Sequence, residues 1–274
     1  MRIHVVDAFT GRPFAGNPAG VCVLAGPADP AWMQRVAMEL NLSETAFPRP
    51  VEDPGADFEL RWFTPAVEVA LCGHATLAAA HVLYETGTVP ADRPIRFRTL
   101  HSGVLTVRRE GGLLVMDFPA CPPEKIDPPA GLAEALGATP SWTGRNVQND
   151  ILAVLDDTGA VRSLAPDLSA LSGYDARGIC VTAPDSSHDF VSRFFAPAVG
   201  VPEDPVTGSA HCMLAPFWAE RLGRTDLRAH QASARGGDVR VRVRGDRVLL
   251  LGEAVTMIEG TLRAEPSGRV PECG

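Results

Sequence analysis

The chain carries an internal repeat. Cys72-Gly73-His74-Ala75-Thr76 in the first half has a counterpart in Thr207-Gly208-Ser209-Ala210-His211 in the second. The block ahead of each motif also matches. Phe58-Glu59-Leu60-Arg61-Trp62-Phe63-Thr64-Pro65-Ala66-Val67 aligns with Phe190-Val191-Ser192-Arg193-Phe194-Phe195-Ala196-Pro197-Ala198-Val199. Phe, Arg, Phe, Pro, Ala and Val recur at the same places. The second copy holds three extra residues between block and motif, which the alignment sets around Glu203-Asp204-Pro205. Each copy reads as strand, Pro-terminated bend, glycine turn, helix. Matched halves of this length point to a duplicated domain with a pseudo-two-fold axis, not a short-period solenoid.

Both glycine turns open apolar, alanine-rich runs. Ala75 to Leu83 is apolar nearly all round, and a helix without a polar face is buried. The expected fold is therefore α+β: two pseudo-symmetric lobes, each a barrel-like, mostly antiparallel sheet around a central helix. The lobes are expected at 1–118 and 119–274, with the final strand able to return to the first. A glycine-led turn leaves the first backbone N–H groups of its helix unpaired. Two such turns facing one another would make a pocket for an anionic substrate between the lobes.

The local signals fill in this frame. Residues 2–9 alternate as a strand and lead into Gly16-Asn17-Pro18-Ala19-Gly20, which has the composition of a turn, followed by a short strand from Val21 to Leu24. Pro30 starts a helix that runs to about Leu40. Strands are expected at 58–63, 94–99, 103–109 and 113–118, with a hairpin at Gly111-Gly112, and a helix at 74–85. Pro119 to Pro129 reads as a linker. In the second half a short helix is expected near 131–136 and strands near 150–155, 178–183 and 189–195. A helix follows from Gly208 to about Leu222, with Pro216 kinking or breaking it. Closing strands fall at 228–233, 238–244, 247–251 and 254–264, with a tight turn at Gly245-Asp246 and a loose polar tail beyond Glu265.

Composition narrows the function classes. The 274 residues are 45% hydrophobic and 21% charged, ordinary for a globular protein, and carry a net charge of −8. That balance argues against nucleic acid and anionic membrane as partners. No apolar run is long enough to span a bilayer, and no leader pattern opens the chain. Cys22, Cys72, Cys121, Cys180, Cys212 and Cys273 show no framework spacing and fit a reducing cytoplasm. Neither Cys72 with His74 nor His211 with Cys212 has the spacing of a structural zinc site, so no metal is expected.

Three motifs carry a family resemblance. Asn41-Leu42-Ser43-Glu44-Thr45-Ala46-Phe47, Leu71-Cys72-Gly73-His74-Ala75-Thr76 and Glu203-Asp204-Pro205-Val206-Thr207-Gly208-Ser209-Ala210-His211 closely resemble the signatures of the PhzF family, the phenazine-biosynthesis isomerase and its relatives. Gly16 to Gly20 and Gln231 to Gly237 are similar too, so the likeness covers nearly the whole chain. It implies the diaminopimelate epimerase-like fold and a cofactor-free isomerase, usually a homodimer. It also implies that Glu44 is the catalytic acid/base, with His74, Asp204 and Ser209 around it.

Each residue is then read chemically. Desolvation would lift Glu44 toward neutrality, suiting it to move a proton between carbons. The positive end of a helix dipole would keep His74 neutral. Asp204, in the insertion, could orient His74 or bind a substrate amine. Ser209 and the N–H groups around Gly73, Ala75 and Gly208 would hold a carboxylate, and Asn17 is placed to reach the substrate. Arg61 and Arg193 are expected to brace the lobes. Epimerases of this fold use two cysteines, one at each helix turn. Here Thr207 replaces the second, and a hydroxyl is too weak an acid for that role.

Three functions stay open at this point: a proton-shift isomerase acting on a small carboxylic or amino acid, an epimerase using Cys72 with Glu44, and a catalytically silent small-molecule binder.

Overall fold

The computed structural model describes residues 1–266; the remainder of the tail, with Cys273, lies outside the described residues. The chain divides into two compact units. The first comprises residues 1–13, 18–116 and 253–274, and the second residues 14–17 and 117–252. The division falls at Met116/Asp117, within a strand. The closing segment belongs to the first unit, the return that the sequence reading allowed for the final strand, and Phe14–Asn17 belongs to the second.

The first unit contains β1 (Arg2–Ala8), β2 (Asn17–Val21), α1 (Pro30–Leu40), β3 (Glu44–Asp53), β4 (Ala56–Phe63), β5 (Glu68–Val69), α2 (Gly73–Glu85), β6 (Ile95–Arg98), β7 (Val104–Glu110) and β8 (Leu113–Pro119). The second contains β9 (Glu124–Lys125), α3 (Leu132–Leu136), β10 (Trp142–Arg145), β11 (Asp150–Val154), α4 (Thr158–Ser163), α5 (Leu168–Ser172), β12 (Gly178–Pro184) and β13 (Phe190–Ala196). It continues through a 3₁₀ turn at Pro197–Val199 to β14 (Val201–Asp204), α6 (Gly208–Leu222), β15 (Asp226–Gln231), β16 (Gly237–Arg244) and β17 (Arg247–Gly252). The last strand, β18 (Ala254–Thr261), pairs antiparallel with β1 and returns the chain to the first unit.

The same strand pattern occurs in both units. In the first, β2 runs parallel to β3, β3 antiparallel to β4, β4 antiparallel to the short β5 and parallel to β6. In the second, β11 runs parallel to β12, β12 antiparallel to β13, β13 antiparallel to β14 and parallel to β15. Each sheet has one apolar helix against it: α2 packs on β1, β3 and β18, and α6 on β15, β16 and β17. Ten of the 13 residues of α2 are buried, as its lack of a polar face requires. The opposite faces are covered by α1, through Trp32, Met33 and Val36 against Phe47 and Phe63, and by α3, α4 and α5 over β11 to β13.

The structure revises several local expectations. Gly16 turns with a φ of 67°, but Asn17–Val21 is a strand, not a turn. Gly20 is needed for room: a Cβ there would lie 2.8 Å from Leu40 Cδ1 and 2.9 Å from Thr45 Oγ1. The proline-rich stretch after Pro119 is pinned, not a free linker. Ala120 and Ile126 donate to the carbonyls of Asp246 and Thr143, and β9 pairs with β10.

Pro216 neither breaks α6 nor ends it. A proline leaves the carbonyl four residues back without its helical donor, and here the Cys121 N–H takes that place, 3.0 Å from the Cys212 oxygen.

The extra residues of the second repeat also lie elsewhere than the alignment set them. Arg61 forms a bidentate pair with Glu68, and Arg193 an equivalent one with Glu203. The insertion therefore precedes Glu203, in the 3₁₀ turn and Gly200, whose φ is 84°. Register agrees, since Trp62 faces Val69 and Phe194 faces Asp204. Asp204 occupies a regular repeat position, where the first unit has Val69. The two arginines brace their own hairpins, as the sequence suggested.

Candidate active site

In the first unit the structure brings together Glu44, Cys72 and His74. Helix α1 ends at Asn41 in the left-handed region, and the chain reverses straight into β3, whose first residue is Glu44. Cys72 is the N-cap of α2, in extended conformation with no side chain capping the helix. Its carbonyl instead accepts from the Thr76 hydroxyl at 2.6 Å, which fixes the first turn. Gly73, His74 and Ala75 follow, so their N–H groups have no intrahelical acceptor. His74 Nε2 lies 3.0 Å from Glu44 Oε2, and Nδ1 lies 3.5 Å from Cys72 Sγ. The Glu44–His74 approach is an ion-pair contact without hydrogen-bond alignment, because both atoms are buried and lack a hydrogen-bond partner. An acceptor or donor from a ligand would complete both.

The electrostatics reverse two expectations. Burial pushes Glu44 up, but the charge of His74 and the close approach of His74 and Cys72 outweigh it, and its carboxyl lies below the usual carboxylate value. Burial pushes His74 down, yet Cys72 and Glu44 raise it well above the ordinary imidazole value. Burial also pushes the Cys72 thiol up to about 11, with the Glu44 charge adding to the effect. Near neutral pH Cys72 is therefore a thiol, and the charge that raises His74 there is that of Glu44. Both directions favour a carboxylate beside an imidazolium over a neutral imidazole beside a carboxylic acid. The helix dipole, worth about 0.3–1 kcal/mol at such a position, is the weaker influence against a carboxylate 3.0 Å away.

The second unit assembles a different set. Asn17 is fully buried and donates to Asp204 Oδ1 at 2.7 Å and to the Val206 carbonyl at 2.9 Å. Thr207 Oγ1 donates to Asp204 Oδ2 at 2.6 Å. Gln231, buried at the end of β15, accepts from the Thr207 N–H at 2.9 Å and donates to the Asp204 carbonyl at 2.7 Å. Thr207 is the N-cap of α6, but its hydroxyl serves Asp204 and leaves the helix uncapped. The first-turn N–H groups, including those of Gly208 and Ser209, therefore lack intrahelical acceptors.

Sequence reasoning missed three members of this set. Gln231 was visible only as part of a late family-like stretch. Arg177, whose Nη2 lies 3.1 Å from Ser209 Oγ, and its partner Asp150 carried no motif at all. The one available signal was a carboxylate opening an otherwise wholly apolar strand, Asp150-Ile151-Leu152-Ala153-Val154.

Among the described residues, two groups have the donor spacing of a cation site. The donor atoms of Glu44, Cys72 and His74 lie within 4.8 Å of one another, as do those of His188, His230 and Asp238. In the first, protons on the sulfur and the imidazole occupy two of the three donors near neutral pH. In the second, Asp238 accepts from His230 at 2.7 Å, and His188 Nδ1 lies 3.2 Å from Asp185.

Comparison with known proteins agrees with the motifs. Residues 6–260 match the model of the PhzC–PhzF family, described as phenazine biosynthesis-like protein. An uncharacterized isomerase of Pseudomonas aeruginosa is 51% identical over 262 residues, covering 96% of this chain and 98% of that protein. Another from Halalkalibacterium halodurans is 49% identical over 263 residues, covering 95% and 97%. The crystal structure of a phenazine biosynthesis PhzF family protein from Enterococcus faecalis superposes with a TM-score of 0.89 at 42% identity, covering 94% of this chain and 97% of that one. Among the described residues, no helix is long and apolar enough to cross a membrane.

Proposed function

Because the chain belongs to the phenazine biosynthesis-like (PhzC–PhzF) family and is an isomerase, we propose that it shifts a proton within a small carboxylic or amino acid, with Glu44 as the proton carrier. The observation that carries this reading is the buried contact between Glu44 and His74, 3.0 Å long and open to a further partner on both atoms.

The chemistry follows from the charges. Ionised Glu44 removes a proton from a substrate carbon. The electron pair left behind spreads into the substrate's own carboxylate or double bond. At that moment the negative charge beside His74 moves from Glu44 to the substrate, so the imidazolium stabilises the intermediate without reorganising. The first-turn N–H groups of α2, which lack intrahelical acceptors, add to this. Glu44, now protonated, returns the proton to another carbon, and the double bond shifts. No step draws on a group beyond the chain and its substrate.

Taken by itself, the second unit offers first-turn N–H donors at Gly208 and Ser209 that suit an acid group, and Asp204, held by Asn17 and Thr207, is an acceptor suited to an N–H or O–H. The resemblance adds a homodimer, which sedimentation measures directly.

The epimerase reading needs Cys72 as a thiolate. With its thiol at about 11, roughly one molecule in 10⁴ carries that form at pH 7, which disfavours Cys72 as the base that would partner Glu44.

The test is a screen of unsaturated and cyclic carboxylic and amino acids in deuterated buffer, scored by mass shift. The expected result is incorporation by the native protein and none by Glu44→Gln. Incorporation at equal rates by both would remove Glu44 from the reaction, and tight binding with no exchange across the screen would favour a silent binder.

A further inference from the structure

Two histidines and an aspartate meet at one corner of the second unit, although positions 188, 230 and 238 have no metal-motif spacing in the sequence. Strand register brings them together. β15 pairs antiparallel with β16 and sets His230 opposite Asp238. β13 runs parallel to β15 on its other side, so the turn leading into β13 carries His188 to the same place. His230 Nδ1 lies 2.7 Å and His188 Nε2 3.5 Å from one oxygen, Asp238 Oδ1. The two imidazole rings are stacked, 27° from parallel with their centres 5.2 Å apart.

Asp185 decides which nitrogen of His188 is available. Its Oδ2 accepts from the backbone N–H groups of Ser187 and His188 and lies 3.2 Å from His188 Nδ1, while Oδ1 accepts from the Thr158 hydroxyl at 2.9 Å. A carboxylate held this way only accepts, so Nδ1 carries the proton and Nε2 turns its lone pair toward Asp238. Lone pair then faces lone pair across 3.5 Å, an arrangement that a cation relieves and that a simple ion pair with His230 does not need. A carboxylate behind one nitrogen is also what orients metal-ligating imidazoles. Ligands at about 2.0–2.1 Å from zinc stand roughly 3.3 Å apart in a tetrahedron. The observed 2.7 and 3.5 Å bracket that spacing, and the Asp238 side chain, 70% exposed, is free of packing that would stop it adjusting. Two nitrogens and one oxygen suit zinc or a neighbouring first-row ion and are too rich in nitrogen for calcium or magnesium.

We propose that His188, His230 and Asp238 bind a divalent first-row transition metal ion, zinc in the first place, with water completing the coordination on the exposed side. Asp185 positions His188 for it. The bound ion ties the turn between β12 and β13 to the hairpin of β15 and β16. The site rests on no part of the isomerase reading, because Glu44, Cys72 and His74 contribute no ligand to it.

The experiment titrates zinc chloride into the untagged full chain, cleared of metal by a chelator, and follows binding by isothermal calorimetry. The native protein is expected to take up one zinc ion per chain with a Kd of about 10 μM or tighter. His188→Gln and His230→Gln, their folds checked by circular dichroism, should each weaken that binding by about 100-fold or more, since each removes a ligand. Asp238→Ala, at a mostly exposed position that does not endanger the fold, carries the same expectation. Asp185→Asn, which leaves all three ligands in place, should weaken binding by about 10-fold or more. Cys72→Ser should bind as the native protein does, which separates this site from the Glu44 cluster. Native binding weaker than about 10 μM overturns the proposal as the affinity of scattered surface histidines. Tight binding that survives in the folded ligand variants, or that disappears in Cys72→Ser, overturns it as well.

Discussion

The two units share a frame and differ in what they mount on it. In register, Thr45 faces Phe63 in the first and Ile179 faces Phe195 in the second. Glu44 therefore corresponds to Gly178, Cys72 to Thr207, His74 to Ser209 and Val69 to Asp204, while Arg61 and Arg193 hold equivalent ion pairs. The first helix start has a carboxylate, an imidazolium and a thiol. The second has hydroxyls, an amide and a carboxylate held by donors on both oxygens. Even its imidazole is withdrawn from proton chemistry: burial pushes His211 down to about 4, and its Nδ1–H donates to the Thr207 carbonyl at 2.8 Å. Duplication has kept the brace and separated the chemistry. A set of facing acid and base groups lies at one helix start, and groups that fix geometry lie at the other.

The sharpest way to break this comparison is to exchange chemistry between the copies. Glu44→Gln should lower turnover by about 10³-fold or more, at the upper part of the range for a lost acid/base group, with little change in ligand binding. His74→Asn should cost roughly 10²-fold, since it removes the charge facing the developing anion but not the base. Both are read by deuterium incorporation. Thr207→Cys, which restores the two-thiol pattern, should give no racemisation, because the new thiol would sit in the hydrogen-bond set of Asp204 and Gln231. Exchange at the α-carbon by that variant, seen by chiral chromatography, would mean that the copies are interchangeable after all.

Much of the frame was legible because it rests on pattern. α1 and α6 begin and end where Pro30, Gly208 and the apolar runs place them. α4 and α5, at six and five residues, are too short for periodicity to register, and only their caps, Asp157 and Asp167, mark them. Gly20 looked like a turn because glycine composition does not distinguish a need for positive φ from a need for space. At the site, the residue types were legible and their charges were not. The charge on Glu44 and His74 depends on a 3.0 Å approach between a strand start and a helix start, and single-residue environments cannot reveal that. Arg177 and Asp150 stayed hidden for the same reason, since their pairing comes from parallel register.

The ionised pair makes a pH prediction of moderate size. Glu44 lies below its usual value, so its contribution to stability is present above about 4.5 and is lost as pH falls through the folded value. His74 lies above its usual value, so its contribution is full below about 6.5 and is lost as pH rises through the folded value. The stability difference between the native protein and Glu44→Gln should therefore be widest between pH 4.5 and 6.5 and narrow on both sides. Urea unfolding at a series of pH values checks it. A difference that grows steadily from pH 6.5 to 9 would mean that His74 is neutral and that the dipole outweighs the carboxylate.

The smallest expected effects belong to the shared brace, and they test the comparison from its conserved side. Arg61 and Arg193 each donate two bonds to one carboxylate, and all four side chains are mostly covered. Neither arginine lies in the Glu44 cluster or the Asp204 cluster. Arg61→Met should cost about 1 kcal/mol, near the top of the range for partly exposed pairs. Arg193→Met should cost somewhat more, because its Nη1 also donates to the Leu164 carbonyl at 2.7 Å and ties β13 to the end of α4. Proton exchange per folded molecule should stay within about twofold of native in both, since surface-type substitutions away from a site rarely move more than about 0.5 kcal/mol. The two measurements are read together: matched small losses in denaturation with unchanged exchange fit a brace inherited by both copies. A selective loss of exchange in one variant would show that its ion pair has been drawn into the chemistry, and the separation of frame from function would then hold for one unit only.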